Sequence, residues 1–283
     1  MRVCVTGGSG RAGRAVVADL LEHGHWVVST DLVKPAADLG EAVSLTADLT
    51  DYGQAVEALA GAEAVVHLAN IPAPQLRTPA VTFNANMTMN FNVFRAAAQA
   101  GLARVVWASS ETTLGLPFDV PPRYAPVDED HYPVPTTTYA LSKVASETIA
   151  GHIAQWSGIP FVALRFSNIL GPRDYPEFPS FWEDPMLRKW NLWGYIDERD
   201  AAAACRLALE ADLSGSTSFI IAAADTVMNR PSAELMREVF PAVPLTRDVD
   251  GYGSLLSTER ASRALGFTPQ HSWRHHLPAG GAS

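Results

Sequence analysis

The sequence predicts an α/β fold: a doubly wound parallel sheet with a small lobe towards the C-terminus. Three observations predict it. Short β-branched and apolar runs recur along the chain, each followed by a stretch of helical spacing, as parallel strands covered on both faces require. The first run, Val3-Cys-Val-Thr6, leads into glycines at 7, 8, 10 and 13 and then an amphipathic stretch to His23, which reads as strand, tight turn and helix. Beyond Gly171 the alternation stops, and prolines at 172, 176, 179 and 185 mix with Tyr175, Phe178, Phe181, Trp182, Trp190 and Trp193.

The glycine turn comes first. Glycine lets the chain adopt positive φ, and the missing side chains let backbone N–H groups at the helix N-terminus approach a pyrophosphate. The next strand, His25 to Asp31, ends in an acid placed to meet an adenosine ribose. Strand, glycine loop, helix and answering acid together predict a Rossmann-type dinucleotide site.

A polar loop then leads to a short strand, Val43 to Leu49, a helix from Tyr52 to Leu59, and a strand from Ala64 to Leu68. A long helix is expected from about Pro79 to Ala100, with Phe83, Met87, Phe91 and Phe94 at helical spacing as a core-facing stripe. Arg104 to Ser109 is the fifth strand. Prolines at 117, 121, 122, 126, 133 and 135 make Thr112 to Thr138 an ordered loop. Tyr139 to Gly158 is a helix stopped by Gly158 and Pro160, and Phe161 to Arg165 is a sixth strand. After the aromatic segment, a helix from about Arg199 to Glu210, a strand from Ser218 to Ala222, and helices near Ser232 to Phe240 and Glu259 to Leu265 complete the chain. The tail after Leu277 is expected to fray.

The chain of 283 residues, 47% of them hydrophobic, is long enough for one sizeable core. It reads as a single unit, with a main body over about 1–170 plus later elements and a small substrate-facing lobe within about 171–283. A net charge of −9 without any lysine or arginine run argues against nucleic acid and anionic membrane as partners. Cys4 and Cys205 cannot form a disulfide framework and read as small buried residues, which fits a reducing cytoplasm. No signal-peptide core and no apolar run of membrane-spanning length is visible.

Tyr139 and Lys143 carry the chemistry. In the run Tyr139-Ala-Leu-Ser-Lys143 a phenol and an ammonium stand one helical turn apart, so both can enter one cleft. Free tyrosine titrates near pH ~10, and a cationic neighbour favours its phenolate, so Tyr139 can exchange a proton with a substrate hydroxyl. The pair follows the proline-rich loop that begins where the fifth strand ends, and strand C-termini are where open α/β sheets bind ligands.

Thr6-Gly-Gly-Ser-Gly-Arg-Ala-Gly13, Asp31, Asp48-Leu49, His67-Leu-Ala69, Asn86, Ser109-Ser110, Tyr139 to Lys143 and Arg165-Phe-Ser-Asn-Ile-Leu-Gly-Pro172 together resemble the extended short-chain dehydrogenase/reductases, in their NAD-dependent epimerase/dehydratase branch. The resemblance spans nearly the whole chain. It implies that Gly7, Gly10, Arg11, Ala12 and Gly13 line the pyrophosphate, that Asp31 takes the ribose hydroxyls, and that Asp48 and Leu49 border the adenine. Leu68 and Ala69 would lie along the cofactor, and Asn86 would support it or a proton relay. Ser110 would bond the reacting oxygen, Tyr139 would be the acid/base, Lys143 would also hold the nicotinamide ribose, and Asn168 would face substrate. A homodimer through the two long helices is the family's habit.

Each role has an ordinary competitor. Ser109 could shift the register of Ser110. Asp48 and Asn86 could be cap or packing residues. Glu111 either contacts substrate or is a solvated loop acid. Arg188 is a candidate partner for a substrate carboxylate, or a solvated surface arginine. Asp31 favours NAD over NADP, while Arg11 and Arg14, cationic near the adenosine end, pull the other way. His271, His275 and His276 lie near a tail expected to be mobile, without a carboxylate or cysteine cluster, so no metal is expected.

Members that handle nucleotide sugars are similar to one another in a longer insertion after Gly-Pro. Here the stretch from Gly171 to Asp200 is short and aromatic and looks more like the uronate-dehydrogenase type. The expectation is an NAD-dependent oxidoreductase acting on a secondary alcohol or carbonyl of a small sugar-like substrate such as a sugar acid. The alternatives are a (nucleotide-)sugar epimerase or dehydratase, and a non-catalytic nucleotide sensor, against which intact Ser110, Tyr139 and Lys143 speak.

Overall fold

The computed structural model describes residues 1–36 and 38–276. Seven parallel strands form its centre: β1 (Arg2–Thr6), β2 (Trp26–Asp31), β3 (Val43–Thr46), β4 (Ala64–His67), β5 (Arg104–Ser110), β6 (Phe161–Phe166) and β9 (Ser216–Ile221), in the order β3-β2-β1-β4-β5-β6-β9. The order reverses beside β1, which creates a crevice at the C-terminal ends of β1 and β4. Val3, Cys4 and Val5 are wholly buried, as a strand covered on both faces must be.

Helices α1 (Arg11–Glu22), α5 (Glu198–Glu210) and α7 (Glu259–Leu265) cover one face, where Val16, Leu20, Cys205 and Leu265 pack on the strands. On the other, α2 (Tyr52–Ala58), α3 (Pro79–Ala100) and α4 (Thr138–Ser157) bring Ala55, Phe94 and Ile153 onto Val65, Val105 and Phe161. The ends of these helices follow from local chemistry. The Thr137 hydroxyl caps the Ala140 N–H at the start of α4, and left-handed Gly158 ends it, each such cap contributing about 1 kcal/mol.

Most element ends shift by a residue or two, and two boundaries and one face show why. β3 stops at Thr46 because Asp48 turns the chain: its Oδ1 accepts both the Thr50 N–H (2.9 Å) and the Thr50 hydroxyl (2.7 Å). β5 runs one residue further, through Ser110. On α3 only Phe94 of the expected stripe is core: Phe83 and Met87 are half-buried and Phe91 is 46% exposed. The inward face carries Asn86, Asn90 and Val93 instead.

The aromatic segment folds as three 3-10 turns, Tyr175–Phe181, Pro185–Leu187 and Lys189–Asn191, because its prolines deny an α-helix its N–H donors. It is framed by two short parallel strands, β7 (Ile169–Leu170) and β8 (Ile196–Asp197). Tyr175, Phe178, Trp193 and Tyr195 are completely or almost completely buried in a third apolar cluster, with Leu114 and Phe118 from the proline-rich loop and Trp273 from the C-terminal segment. A sixth helix, α6 (Ser232–Val239), closes that cluster with Leu235 and Met236.

The expected mobility of the terminal histidines is corrected. His271 is held by Asp200, which accepts its backbone N–H and its ring Nδ1 at 2.9 and 2.8 Å, and the His276 ring packs on Tyr175. The expected frayed tail after Leu277 lies outside the described residues. Among those residues no helix is long and apolar enough to cross a membrane.

Candidate active site

The glycine loop joins β1 to α1 at the crevice. Gly7 and Gly8 donate their N–H groups to the Thr30 carbonyl at 2.7 and 3.2 Å. Gly7 has φ +71, and a Cβ there would lie 2.7 Å from the Ala69 nitrogen, while one on Gly13 would lie 2.1 Å from the Gly7 carbonyl oxygen. The loop therefore accepts no side chain at either position. Gly10 starts α1 with no side-chain cap, which leaves the first-turn N–H groups of Arg11, Ala12 and Gly13 directed at the crevice for an anion. Asp31 closes the loop from β2, its Oδ2 accepting the Ser9 N–H at 2.9 Å. Half-buried Leu68 and Ala69 line the end of β4, and buried Leu49 lies beyond β3.

The Arg11 side chain is not the adenosine-end cation of the sequence reading. It forms a two-pronged ion pair with Asp174 of the aromatic segment, and the Arg14 Nη1 donates to the Ser9 carbonyl at 2.7 Å. The two guanidiniums are thus already engaged, one across the crevice and one within the loop.

Tyr139 and Lys143 both turn inward from the first turns of α4, at 7% and 1% exposure. The Lys143 Nζ donates to the Ala108 carbonyl of β5 at 2.7 Å and stands 5.6 Å from the centre of the Tyr139 ring. The nearby Ser110 hydroxyl favours the phenolate, but burial outweighs that effect and pushes Tyr139 up to about 12. Burial also pulls Lys143 down to about 7, against the attraction of Glu147. Both shifts disfavour charge in the buried pair, so any positive charge brought to the cleft favours the phenolate. The two serines differ in their partners: the Ser109 hydroxyl donates to the Glu147 carboxylate at 2.6 Å, while Ser110 Oγ accepts the Thr112 N–H and hydroxyl at 3.2 and 3.0 Å and so caps the turn after β5. Glu147 in turn pairs with buried Arg165 of β6 at 2.7 Å, so Tyr139, Lys143 and Glu147 occupy successive turns of one helical face.

Asn86 is wholly buried on the inner face of α3. Its amide clamps the Ile71 backbone, donating to the carbonyl at 3.1 Å and accepting from the N–H at 2.8 Å, and so fixes the loop after β4. A buried polar chain does run nearby, and two of its members, Asn90 and Ser146, are not singled out by the sequence motifs. The Thr6 hydroxyl donates to His67 Nδ1 (2.6 Å), His67 Nε2–H donates to Asn90 Oδ1 (2.9 Å), and Asn90 Nδ2 donates to Ser146 Oγ (2.8 Å). Burial and the nearby Lys143 hold His67 down to about 3, so its ring is neutral. The recurrence of asparagine at 86 and 90, one turn apart, was the available signal.

Glu111 and Arg188 are corrected in one respect: neither is solvated. Glu111 is 3% exposed, its carboxylate accepting from the Ser167 hydroxyl (2.6 Å) and from Asn191 Nδ2 (3.2 Å). Burial raises it to about 7. Arg188 is 8% exposed, lies 5.2 and 5.0 Å from the ring centres of Phe181 and Trp190, and donates to the Gly194 carbonyl at 3.1 Å. Half-buried Asn168 receives the Ile196 N–H on its backbone carbonyl. Among the described residues no three histidine, cysteine or acidic side chains gather as metal ligands.

The family model for the NAD dependent epimerase/dehydratase family matches residues 3–222. A UDP-glucose 4-epimerase of Corynebacterium glutamicum is 27% identical, with 96% of this chain and 92% of that protein aligned. An L-arabinose 1-dehydrogenase (NAD(P)(+)) of Haloferax volcanii is 26% identical over 76% of this chain and 85% of its own length. A solved structure of a mutated uronate dehydrogenase shares the fold, with a TM-score of 0.70, 21% identity, and coverage of 97% of this chain and 83% of that one.

Proposed function

Because the chain belongs to the NAD-dependent epimerase/dehydratase family of extended short-chain dehydrogenase/reductases, we propose that it is the dehydrogenase kind of member, oxidising a secondary alcohol of a small free sugar or sugar acid. The enzyme is NAD-dependent, and its loop suits the dinucleotide: the glycines exclude side chains and the N-terminus of α1 is uncapped. When bound, NAD supplies the hydride acceptor and a positively charged ring. Asp31 meets the ribose diol and disfavours a 2′-phosphate, so NAD is preferred to NADP. Gly7, Gly10, Arg11, Ala12 and Gly13 hold the pyrophosphate through backbone groups, and Leu49, Asp48, Leu68 and Ala69 border the rest.

Ser110 donates to the reacting oxygen and fixes its position. Tyr139 Oη takes the hydroxyl proton as the carbon–oxygen bond becomes a carbonyl, and Lys143 stabilises the phenolate and holds the nicotinamide ribose. Free NAD is consumed and the reaction ends at net oxidation.

The observation that carries the dehydrogenase reading is the inward packing of the aromatic segment. Tyr175, Phe178, Leu192 and Trp193 are at most 1% exposed, so these side chains are committed to the third apolar cluster and are not presented outward as an arm that could grip a nucleoside diphosphate. Epimerisation is the second reading, favoured by the end-to-end match to a UDP-glucose 4-epimerase. The test incubates the enzyme with added NAD and aldoses, uronic acids and UDP-sugars, following absorbance of NADH and stereoisomers by chromatography. Stoichiometric NADH from a free sugar or sugar acid is expected. Interconversion of UDP-sugars without NADH overturns the reading.

The protein is further proposed to be a cytoplasmic homodimer, consistent with two buried free thiols and with the exposed apolar residues Phe91, Leu141 and Trp156 on the outer faces of α3 and α4.

A further inference from the structure

We propose that Glu147 is a positioning residue of the active site: its carboxylate, stapled to β5 and β6, holds the Lys143 side chain in register with Ser110 and Tyr139 and supplies the negative charge that favours the ammonium. The inference rests on the reading of Tyr139 and Lys143 as the acid/base pair, and it holds for oxidation and epimerisation alike.

Register comes first. Ser109 of β5 lies opposite Arg165 of β6 in the parallel ladder, and Glu147 reaches both members of that pair. Its Oε1 accepts the Ser109 hydroxyl at 2.6 Å and Arg165 Nε at 2.9 Å, and its Oε2 accepts Arg165 Nη2 at 2.7 Å. The two-pronged guanidinium fixes the direction of the carboxylate. One turn earlier on α4, Lys143 Nζ donates to the carbonyl of Ala108, the residue before Ser109. Successive turns of α4 thus bond successive residues of β5, and the next residue of the strand is Ser110. A slip of the helix along the strand would break these bonds together, so Glu147 fixes the height at which Lys143 and Tyr139 meet Ser110.

The second link is electrostatic. Glu147 and Lys143 stand four residues apart on one helical face, where side chains are neighbours. Their polar atoms are nonetheless turned to other partners, the carboxylate to Ser109 and Arg165 and the ammonium to Ala108. Glu147 therefore acts on Lys143 as a fixed charge close by, and its attraction opposes the burial that draws Lys143 down to about 7. At the surface solvent would screen such an effect, but Lys143 is 1% exposed and the Glu147 side chain 16%. The other charged and titratable groups around the pair do not replace it. His67 of β4 is neutral, Tyr139 is a neutral phenol below about 12, and Arg165 is itself a cation. Glu111 acts on Tyr139, while Glu129 and His131 of the proline-rich loop lie within the influence of Arg165.

Both jobs proposed for Lys143 depend on that charge. An ammonium stabilises the Tyr139 phenolate and donates strongly to the nicotinamide ribose, and an amine does neither as well. Because Lys143 titrates at about 7, the field of Glu147 decides how much ammonium is present at neutral pH.

The chain contains three lysines, Lys34, Lys143 and Lys189, so lysine-labelled protein gives three side-chain signals by NMR, and Lys143→Ala assigns the one of interest. That signal is titrated in wild type, Glu147→Gln and Ser109→Ala. Glu147→Gln should titrate lower than wild type by about one pH unit or more, because the charge is lost while an amide oxygen remains for Ser109 and Arg165. Ser109→Ala removes one hydrogen bond and no charge, and should titrate as wild type does. NAD titration at about pH 7 should show about three- to tenfold weaker binding in Glu147→Gln, and equal binding at about pH 5, where both proteins hold the ammonium. If circular dichroism shows the single variant unfolded, Glu147→Gln combined with Arg165→Gln leaves no buried charge unpaired, and a downward shift is again expected. An unchanged Lys143 titration in the folded variant overturns the proposal, as does an equal fall in Ser109→Ala, which would make packing and not charge the cause. A shifted titration with NAD affinity unchanged at about pH 7 supports the hold of Glu147 on Lys143 and removes Lys143 from the ribose.

Discussion

Tyr139 is poised by its neighbours, and its pKa of about 12 in the protein alone shows how much burial opposes the phenolate. Tyr139→Phe keeps the ring and removes only the proton-transfer group, so kcat should fall by about 10²–10⁴-fold while titration finds NAD binding nearly unchanged. Lys143→Ala should weaken both, because the role proposed for its side chain is to serve the phenolate and the ribose. The same burial makes two pH dependences of opposite sign. Lys143 titrates at about 7 when folded and 10.5 when free. The unfolded chain binds the extra proton between those values, so stability rises with pH across that window. Glu111 is raised from 4.5 to about 7, so there the folded chain binds the extra proton, and its contribution is present below the lower value and lost as pH rises to the upper one. Urea unfolding of wild type and Glu111→Gln at about pH 5 and about pH 7 checks this: the variant should lose less stability than wild type over that step. An identical loss in both would remove Glu111 from the buried set.

At the scale of elements, α3 and α4 do two jobs. Their inner faces carry Asn90, Tyr139, Lys143 and Glu147 to the sheet, and their outer faces expose Phe91, Leu141 and Trp156 at 46%, 46% and 68%. Burying such a side chain against a second copy contributes about 2 kcal/mol, so Phe91→Glu combined with Trp156→Glu should convert a dimer into a monomer by light scattering at micromolar concentration. A wild-type monomer would sink the dimer outright. This face also explains what the sequence could and could not yield. Glycines at 7, 10 and 13, the Tyr139–Lys143 spacing and the strand runs are local patterns, and they locate the parallel sheet and α4 within a residue or two at most ends. The direction of the aromatics on α3 departs from expectation because helical spacing is the same for a buried stripe and an exposed one. Asn90 was missed for a related reason: its partners His67 and Ser146 lie 23 and 56 residues away, and only the fold brings them together. The 3-10 turns of the aromatic segment were illegible because proline-rich sequence states where an α-helix is not, and little about what replaces it.

Across the whole molecule, the body and the aromatic segment are joined at the cofactor crevice. Arg11 begins α1, whose uncapped N-terminus faces the proposed pyrophosphate site, and its side chain reaches Asp174, a residue that also accepts the Gly171 N–H at 2.8 Å. Asp174 therefore ties the first turn of the segment after β7 to the first turn of α1. The pairing with Arg11 holds Asp174 below the ordinary carboxylate range, aided by the Gly171 N–H and opposed by partial burial. Both side chains are about a quarter to a third exposed, so the pair is screened by salt and contributes modestly, about 1 kcal/mol or less. Asp174→Asn should accordingly raise the NAD dissociation constant about two- to fivefold, measured by quenching of tryptophan fluorescence, and leave kcat at saturating NAD close to wild type. The two proteins should converge at high salt, because screening removes in wild type what the substitution removes in the variant. A fall in kcat with unchanged NAD affinity would instead place Asp174 among the groups that position substrate. The pair thus gives the aromatic segment a direct contact with the helix whose N-terminus is proposed to hold the cofactor.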